Sequence, residues 1–343
     1  MTDFDIGALE RYLADRLSGF RSPLAVQRFP GGQSNPTYRL TGDDGTRYVL
    51  RKKPAGQLLP SAHAVEREYR VIAALRGSGV PVAPALHLCE DEGVIGTPFY
   101  VMGFVDGRIF WDPTLPDLAR DERCALYNDI NSVIARLHTV DPAAVGLSDY
   151  GKPGDYIGRQ IARWSRQYRA SETRSQPAMD RLIDWLPGQV PAPGPNGIVH
   201  GDLRLDNMII HPSEPRVVAL LDWELSTLGD PLADFSYHML TWHLRADEFR
   251  GMAGADVSAL GIPDADAYLA RYVERSRRPA PAPEVWEVYL IFNLFRLAAI
   301  LQGIAKRVEE GTAASATARE TGAKARPIGE LAWRRAQERL GAR

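Results

Sequence analysis

Only two cysteines, Cys89 and Cys124, occur in 343 residues, far apart and with no CxxC pair. So sparse a supply argues against a disulfide framework and against a thiolate zinc site. Neither charge is in excess: 41 Lys and Arg stand against 43 Asp and Glu, a formal net charge of −2. The basic surplus of nucleic-acid binders is missing. So is a secretory leader, because MTDFDIGALERYLADRL carries acids and no basic stretch followed by a long apolar run. No run approaches the ~18 uninterrupted apolar residues of a membrane span. These absences point to a cytoplasmic protein with neither nucleic acid nor membrane as partner.

What is present is an ordinary globular composition, 45% hydrophobic and 24% charged. The length allows one large domain or two lobes around sizeable cores. The first hundred residues read as strands with two helices. Ile6, Leu9, Leu13 and Leu17 recur at helical spacing, as do Val65, Tyr69 and Ile72 within Ala64 to Leu75. Strand-like runs fall at Leu24–Phe29, Thr37–Thr41, Arg47–Leu50, Ala85–Glu90 and Phe99–Val105. Gly42-Asp43-Asp44-Gly45 marks a hairpin between the second and third.

After Gly107 long helical segments take over: Leu118–Thr139, Tyr156–Tyr168, Met179–Leu186, Trp286–Val308 and Ile328–Leu340. Pro187 to Pro195 reads as a non-helical connector. Three short apolar runs follow, Gly197–Val199, Met208–Ile210 and Val217–Leu221. The Gly-, Ala-, Thr- and Ser-rich stretch Glu310–Lys324 is the best candidate for a mobile segment. The expected fold is α+β. A small lobe of sheet plus one key helix spans residues 1–105, and a larger, mainly helical lobe spans 106–343.

The chemistry concentrates in IVHGDLRLDNMIIHPSEPRVVALLDWELSTLGDPLAD, residues 198–234. Asp202 follows an apolar strand, Asn207 lies five positions on, and a further strand ends on Asp222. Residues just beyond strand ends are aimed by a rigid sheet. Two carboxylates and an amide suit a hard cation such as Mg²⁺, which takes few protein ligands and completes its shell with phosphates and water. Phosphoryl transfer needs these parts: a carboxylate to orient the acceptor hydroxyl and take its proton, and a metal to neutralise the migrating phosphate. Asp202 fits the first role, Asn207 and Asp222 the second. Each residue alone could equally be a turn or a cap; their order and placement together make a site.

HGD-x4-N followed by LDWE, GDP and a further Asp resembles the catalytic core of the aminoglycoside phosphotransferase family. That family includes choline kinase-like members and is related to the protein kinases. The resemblance extends over most of the chain and implies a protein kinase-like bilobal fold with a small antiparallel sheet in the first lobe. It also implies that ATP and Mg²⁺ are bound, with Asp202 as base and Asn207 and Asp222 as metal ligands. Trp223 and Glu224 replace the Phe and Gly of the kinase DFG triplet. The motif puts Asp230 and Asp234 in structural roles, fixing the loop after Asp222 and capping its helix.

The resemblance also locates a nucleotide side. Gly31, Gly32, Ser34 and Asn35 lie where the family has its phosphate-covering loop, and paired glycines let backbone N–H groups approach phosphate. The third strand ends in Arg51-Lys52-Lys53, where a kinase places the cation that pairs with a Glu of the next helix. Glu68 is that Glu, and Glu66 faces elsewhere. Alignment of Val-Leu favours Arg51, but strand alternation puts Arg51 and Lys53 on one face and Lys52 on the other, so either cation fits. Met102, Gly103 and Val105 fall at the hinge, Met102 behind the adenine and the two backbones along its edge. Among the histidines, His138 closes a helix and interacts with its carbonyls, and His200 orders the loop before Asp202. His238 and His243 lie a little over a turn apart without a third zinc ligand.

The acceptor is a small hydroxyl compound. Arg296, Lys306 and Arg307 on apolar late helices suit an acid better than a polycation. FNLFRLAAILQGIAKR and YVLRKKPAGQLLPSAHAVEREYRVIAAL resemble a subgroup related to the kinase domain fused to some acyl-CoA dehydrogenases. That resemblance implies a hydroxy fatty acid or hydroxyacyl-CoA as acceptor. The alternatives are an aminoglycoside or other antibiotic phosphotransferase, and a nucleotide-binding pseudokinase that serves as an interaction module. Intact Asp202, Asn207 and Asp222 weigh against the pseudokinase.

Overall fold

A computed structural model describes residues 2–29, 35–54, 63–152, 154–192, 194–313 and 317–342. The chain divides into two compact units. The first comprises 1–109, 143–147 and 207–226; the second comprises 110–142, 148–206 and 227–343.

The first unit opens with helix α1 (Ile6–Ala14), capped by the Asp5 carboxylate on Ala8 N–H. Strands β1 (Ala25–Arg28), β2 (Thr37–Thr41) and β3 (Arg47–Lys52) follow, then α2 (Val65–Ala74), β4 (Ala85–Cys89) and β5 (Phe99–Gly103). The strands form one antiparallel sheet in the order β1-β2-β3-β5-β4. Leu9 and Leu13 of α1 pack on Leu40, Leu50, Phe99 and Val101 from one face of that sheet. Alternation along β3 puts Lys52 on this side, where it is 1% exposed, paired with Asp3 at 2.9 Å and close to the Phe4 ring. Arg51 goes to the opposite side, where α2 packs.

The second unit contains α3 (Arg120–Thr139), α4 (Tyr156–Ser171), α5 (Pro177–Trp185) and strand β6 (Gly197–Val199). Next in the chain, β7 (Met208–Ile210) and β8 (Val217–Leu220) form a hairpin that belongs to the first unit. The second unit resumes with β9 (Thr227–Gly229), antiparallel to β6, and α6 (Pro231–His243). The one-turn helices α7 (Ala246–Phe249) and α8 (Val257–Leu260) precede α9 (Ala265–Ser276), α10 (Pro283–Glu309), α11 (Ala318–Ala323) and α12 (Ala325–Leu340). Helix α10 is long and apolar enough by composition to cross a membrane, but 78% of its apolar window is buried against α4, α6, α11 and α12.

A single cut after residue 105 therefore does not describe the units. The β7–β8 hairpin joins the first because Leu220 N–H donates to Pro81 O and Arg108 exchanges two backbone hydrogen bonds with Ile210. Gly107 permits that approach: a Cβ there would lie 2.3 Å from both Ile209 and Ile210 O. Two further expectations change. Part of the stretch read as mobile is helix α11, packed on α10. The connector after α5 opens with a 3₁₀ turn, Leu186–Gln189, since Pro187 falls in its first turn, where no N–H is needed.

Candidate functional site

In the first unit, the end of β3 delivers Arg51 into a ring of carboxylates. Its Nε lies 2.9 Å from Glu68 Oε2, and its Nη2 lies 2.8 Å from Asp222 Oδ1 and 3.4 Å from Glu224. Glu68 is buried on α2, where it also accepts from Asn35 Nδ2 at 2.7 Å and from the Tyr100 hydroxyl at 3.2 Å. Burial pushes Glu68 up to about 7; Arg51 opposes the shift, and the neighbouring Asp222 and Glu224 charges add to it. Burial tends to discharge Arg51 too, but the attraction of Glu68 and Asp222 outweighs it and holds the guanidinium charged.

The geometry separates the two candidate cations. Lys53 pairs with Glu66 at 3.0 Å on a more exposed edge, apart from the Arg51–Glu68 pair. The strand has ended at Lys52, and alternation no longer governs Lys53. Asn35 also changes character. It is fully buried, with its amide on Glu68 and its oxygen 3.0 Å from His63 Nδ1, so it supports the glutamate and is not offered to a phosphate. Gly31, Gly32 and Ser34 lie outside the described residues. Met102, Gly103 and Val105 are half-buried at the end of β5, and Gly103 N–H is taken by Pro84 O at 2.8 Å.

Asn207 and Asp222 are neighbours in this unit. Leu221 N–H donates to Asn207 O at 2.8 Å, which ties the two positions through the β7–β8 hairpin. Asp222 has φ 65°, a left-handed conformation that costs a non-glycine residue energy and recurs where function demands it. Trp223 anchors the turn, buried and donating to Leu220 O. An amide oxygen and a carboxylate are hard donors of the kind Mg²⁺ accepts alongside phosphate and water. Among the described residues no cluster of three or more His, Cys, Asp or Glu is disposed for another metal. His238 instead meets the Tyr268 hydroxyl at 3.2 Å, and His243 lies beside Arg335.

In the second unit, Asp202 sits on a loop held by buried hydrogen bonds. Asp234, 2% exposed, accepts from His200 N–H at 2.6 Å and Gly201 N–H at 2.9 Å. Its carboxyl is held below the usual range although burial opposes this, because His138 and those N–H groups stabilise the anion. His138 lies in the last turn of α3, as expected, and its ring bridges Asp234 at 3.2 Å and the Tyr272 hydroxyl at 2.7 Å. The expected capping of the helix falls to Asp230, and Asp234 fixes the loop that precedes Asp202 and not the one after Asp222. Asp230 caps α6 through Leu232 N–H, whereas Asp234, within the first turn, fixes the His200–Gly201 loop. An Asp directly before a Pro at the first helical position is the cap signature that identifies Asp230 from sequence.

Gly201 has φ 85°, open to glycine at little cost, and its carbonyl accepts from the Arg296 guanidinium. Arg296 is 5% exposed, packed against Tyr237 (4.6 Å) and Trp164 (5.5 Å), so it holds the loop and is not an exposed charge for an acceptor. Lys306 likewise donates to Ala170 O. The Asp202 carboxylate is met by Arg204 Nε at 3.1 Å and by the Tyr237 hydroxyl. Burial, and then the charge of Asp202, push Tyr237 up to about 12, so it stays neutral and donates. His200 Nδ1 accepts from Asp202 N–H at 3.2 Å.

Arg204 and Tyr237 also line a cavity that opens to solvent. Trp111, Pro113, Leu240, Leu244, Phe249 and Leu297 give it apolar walls, and Asp206 and Arg250 add charge. No sequence signal marks Arg204, Tyr237 or Arg250 as a site residue. The HGDLRLDN motif contains Arg204, but the other two lie 35 and 48 positions beyond Asp202.

Comparison with known proteins fits this geometry. A family model described as phosphotransferase enzyme family matches residues 25–274. Acyl-CoA dehydrogenase family member 10 of Mus musculus is 49% identical over 329 residues; the match covers 95% of this chain but 30% of the mouse protein. A crystal structure from Ralstonia eutropha JMP134, provisionally named an aminoglycoside phosphotransferase, is 52% identical. It superposes with a TM-score of 0.87 over 98% of this chain and 99% of that one. Choline kinase from Cryptosporidium parvum, 11% identical over 98% of this chain and 97% of that one, shares the fold with a TM-score of 0.66.

Proposed function

The chain belongs to the phosphotransferase enzyme family and has its kinase-like fold, and from that premise we propose an ATP- and Mg²⁺-dependent kinase whose acceptor is a hydroxy acid or its CoA thioester. The family transfers phosphoryl groups to hydroxyls on small molecules, so the finer claims are the nucleotide, the metal, the residues and the acceptor.

Asp202 receives the acceptor's hydroxyl proton. Arg204 and Tyr237 orient its carboxylate, and the Asp234 and Arg296 contacts to Gly201 fix the loop that carries it. Arg51, fixed by Glu68, meets nucleotide phosphate with a planar fork suited to paired oxygens. Asn207 and Asp222 would hold Mg²⁺, which would supply positive charge to the phosphate oxygens. The family resemblance assigns Gly31, Gly32 and Ser34 to the phosphate-covering loop, and the segment Met102, Gly103 and Val105 to the adenine edge. The first unit thus serves the nucleotide and the second the base and acceptor, in a cytoplasmic enzyme.

The observation that carries the acceptor assignment is that both groups holding the Asp202 carboxylate are walls of one cavity. That cavity is mostly apolar and carries two arginines, and its single carboxylate, Asp206, is already bound by both. An alkyl chain with an acid group fits such a lining; a polycationic aminoglycoside would need acids that are not in it.

The test is a product screen with Mg-ATP and β-hydroxyoctanoate, its CoA thioester and kanamycin, read by mass. A phosphorylated acid or thioester with no phosphorylated kanamycin is expected. Kanamycin as the only substrate would overturn the acceptor assignment.

A further inference from the structure

Arg250 is the one charged group of the cavity wall whose role is not absorbed by the base or its loop. Its backbone holds φ 44°, an unfavourable left-handed conformation for arginine, so the surroundings determine its placement. The following segment is pinned to the end of α6 by Met252 N–H on Thr241 O and Ala253 N–H on Leu244 O, both 2.8 Å. The guanidinium carbon lies 4.7 Å from the centre of the Trp111 ring and 5.5 Å from that of Phe249. Trp111 is 61% exposed, an unusual state for so large an apolar side chain.

One nitrogen, Nη1, donates to Asp206 Oδ2 at 2.6 Å. The same oxygen is 3.4 Å from Arg204 Nη2, and Arg204 Nε is 3.1 Å from Asp202. A continuous chain of charge thus runs from the proposed base to the rim: Asp202, Arg204, Asp206, Arg250. Asp206, with 8% of its side chain exposed, fixes both guanidiniums at once. Nε and Nη2 of Arg250 have no protein acceptor among the described residues, and 39% of the side chain is open to solvent. A planar guanidinium backed by two rings, with one edge anchored and the other open, is suited to grip paired anionic oxygens.

We propose that Arg250 is the acceptor-selecting residue. It binds the anionic group of the acceptor, carboxylate or CoA phosphate, while Trp111 and Phe249 cover the adjoining chain. The word acceptor rests on the phosphoryl-transfer reading above; the binding role does not. Arg250 acts on affinity, whereas Arg204 positions the base.

Titration calorimetry with ligands that lack a hydroxyl reads binding apart from turnover. In one arm octanoate is compared with octanamide; in the other, octanoyl-CoA with octanoyl-pantetheine. In at least one arm the parent protein is expected to favour the anion by about tenfold or more. Arg250→Gln should remove that preference while leaving the neutral ligand's affinity and the Tm unchanged, and Arg250→Lys should retain part of it. Preference in the first arm identifies a carboxylate as the bound group, and in the second a CoA phosphate. No preference in the parent in either arm, or an undiminished one in Arg250→Gln, overturns the proposal. If the preference behaves as expected but β-hydroxyoctanoate and its CoA thioester are not phosphorylated with Mg-ATP, the reaction assignment fails and the binding role of Arg250 stands.

Discussion

The two units hold their functional residues by different means. In the first, long side chains converge: Arg51 is shared among Glu68, Asp222 and Glu224, and the arrangement rests on ion pairs at the end of a strand. In the second, the backbone around Asp202 is held by a buried carboxylate, two histidines and an arginine on Gly201 O. On the proposed reading the first arrangement lets charged ends re-pair as phosphate and metal arrive. On the proposed reading the second fixes one oxygen for proton transfer, which tolerates little displacement.

Substitutions that break each arrangement should therefore differ in kind. The largest effect on stability belongs to Asp234→Ala. It leaves His200 and Gly201 N–H groups without their acceptor in a buried site, for a cost of about 3–5 kcal/mol measured by urea unfolding. A loss under 1 kcal/mol would mean the loop is held elsewhere. Arg296→Met comes next: loss of its bond to Gly201 O should cost about 1.5–3 kcal/mol. It should lower kcat while leaving the KM for ATP unchanged, and a raised KM alone would assign Arg296 to the nucleotide side.

Arg51→Ala tests the other unit. It should raise the KM for ATP by about tenfold or more, with Arg51→Lys intermediate, and leave β-hydroxyoctanoate affinity alone. Lys53→Ala is the smallest case, at most about 0.5 kcal/mol for an exposed pair with Glu66. A nucleotide KM that follows Lys53 and not Arg51 would reverse the assignment.

Acid sensitivity sharpens the contrast, because the buried histidines lie in the second unit. Burial pushes His238 down to about 4, with the Asp234 charge opposing. A depressed pKa gives stability that is complete above pH 6.5 and drains as pH falls toward 4, about 3 kcal/mol at the low end. Between pH 6.5 and 4.5 the urea midpoint of His238→Gln should fall less than that of the parent. Equal slopes would remove His238 from the acid response.

Much of this was legible in the sequence. Gly42 to Gly45 marked the β2–β3 hairpin, and helical periodicity marked α3, α4 and α10 to within a few residues. Asp202, Asn207 and Asp222 stood out because one short segment contains both strand ends. Strand β9 escaped because three residues, Thr227-Leu228-Gly229, carry no periodicity and depend on β6 for pairing. The contact of Asp234 with His200 escaped because it joins residues 34 positions apart, and only packing brings them together. Arg250 was invisible for a plainer reason. Its partner Asp206 is 44 positions away, and neither residue type nor spacing marks the pair.

Asp202 as the base of a phosphoryl transfer is the central proposal. The most direct test is single-turnover transfer from γ-labelled ATP to β-hydroxyoctanoate or its CoA thioester, whichever the screen identifies, with parent and Asp202→Asn protein compared at equal ATP occupancy. Labelled product is expected from the parent and a rate at least ~10²-fold lower from Asp202→Asn, with ATP affinity retained. An unchanged rate in Asp202→Asn would contradict that proposal.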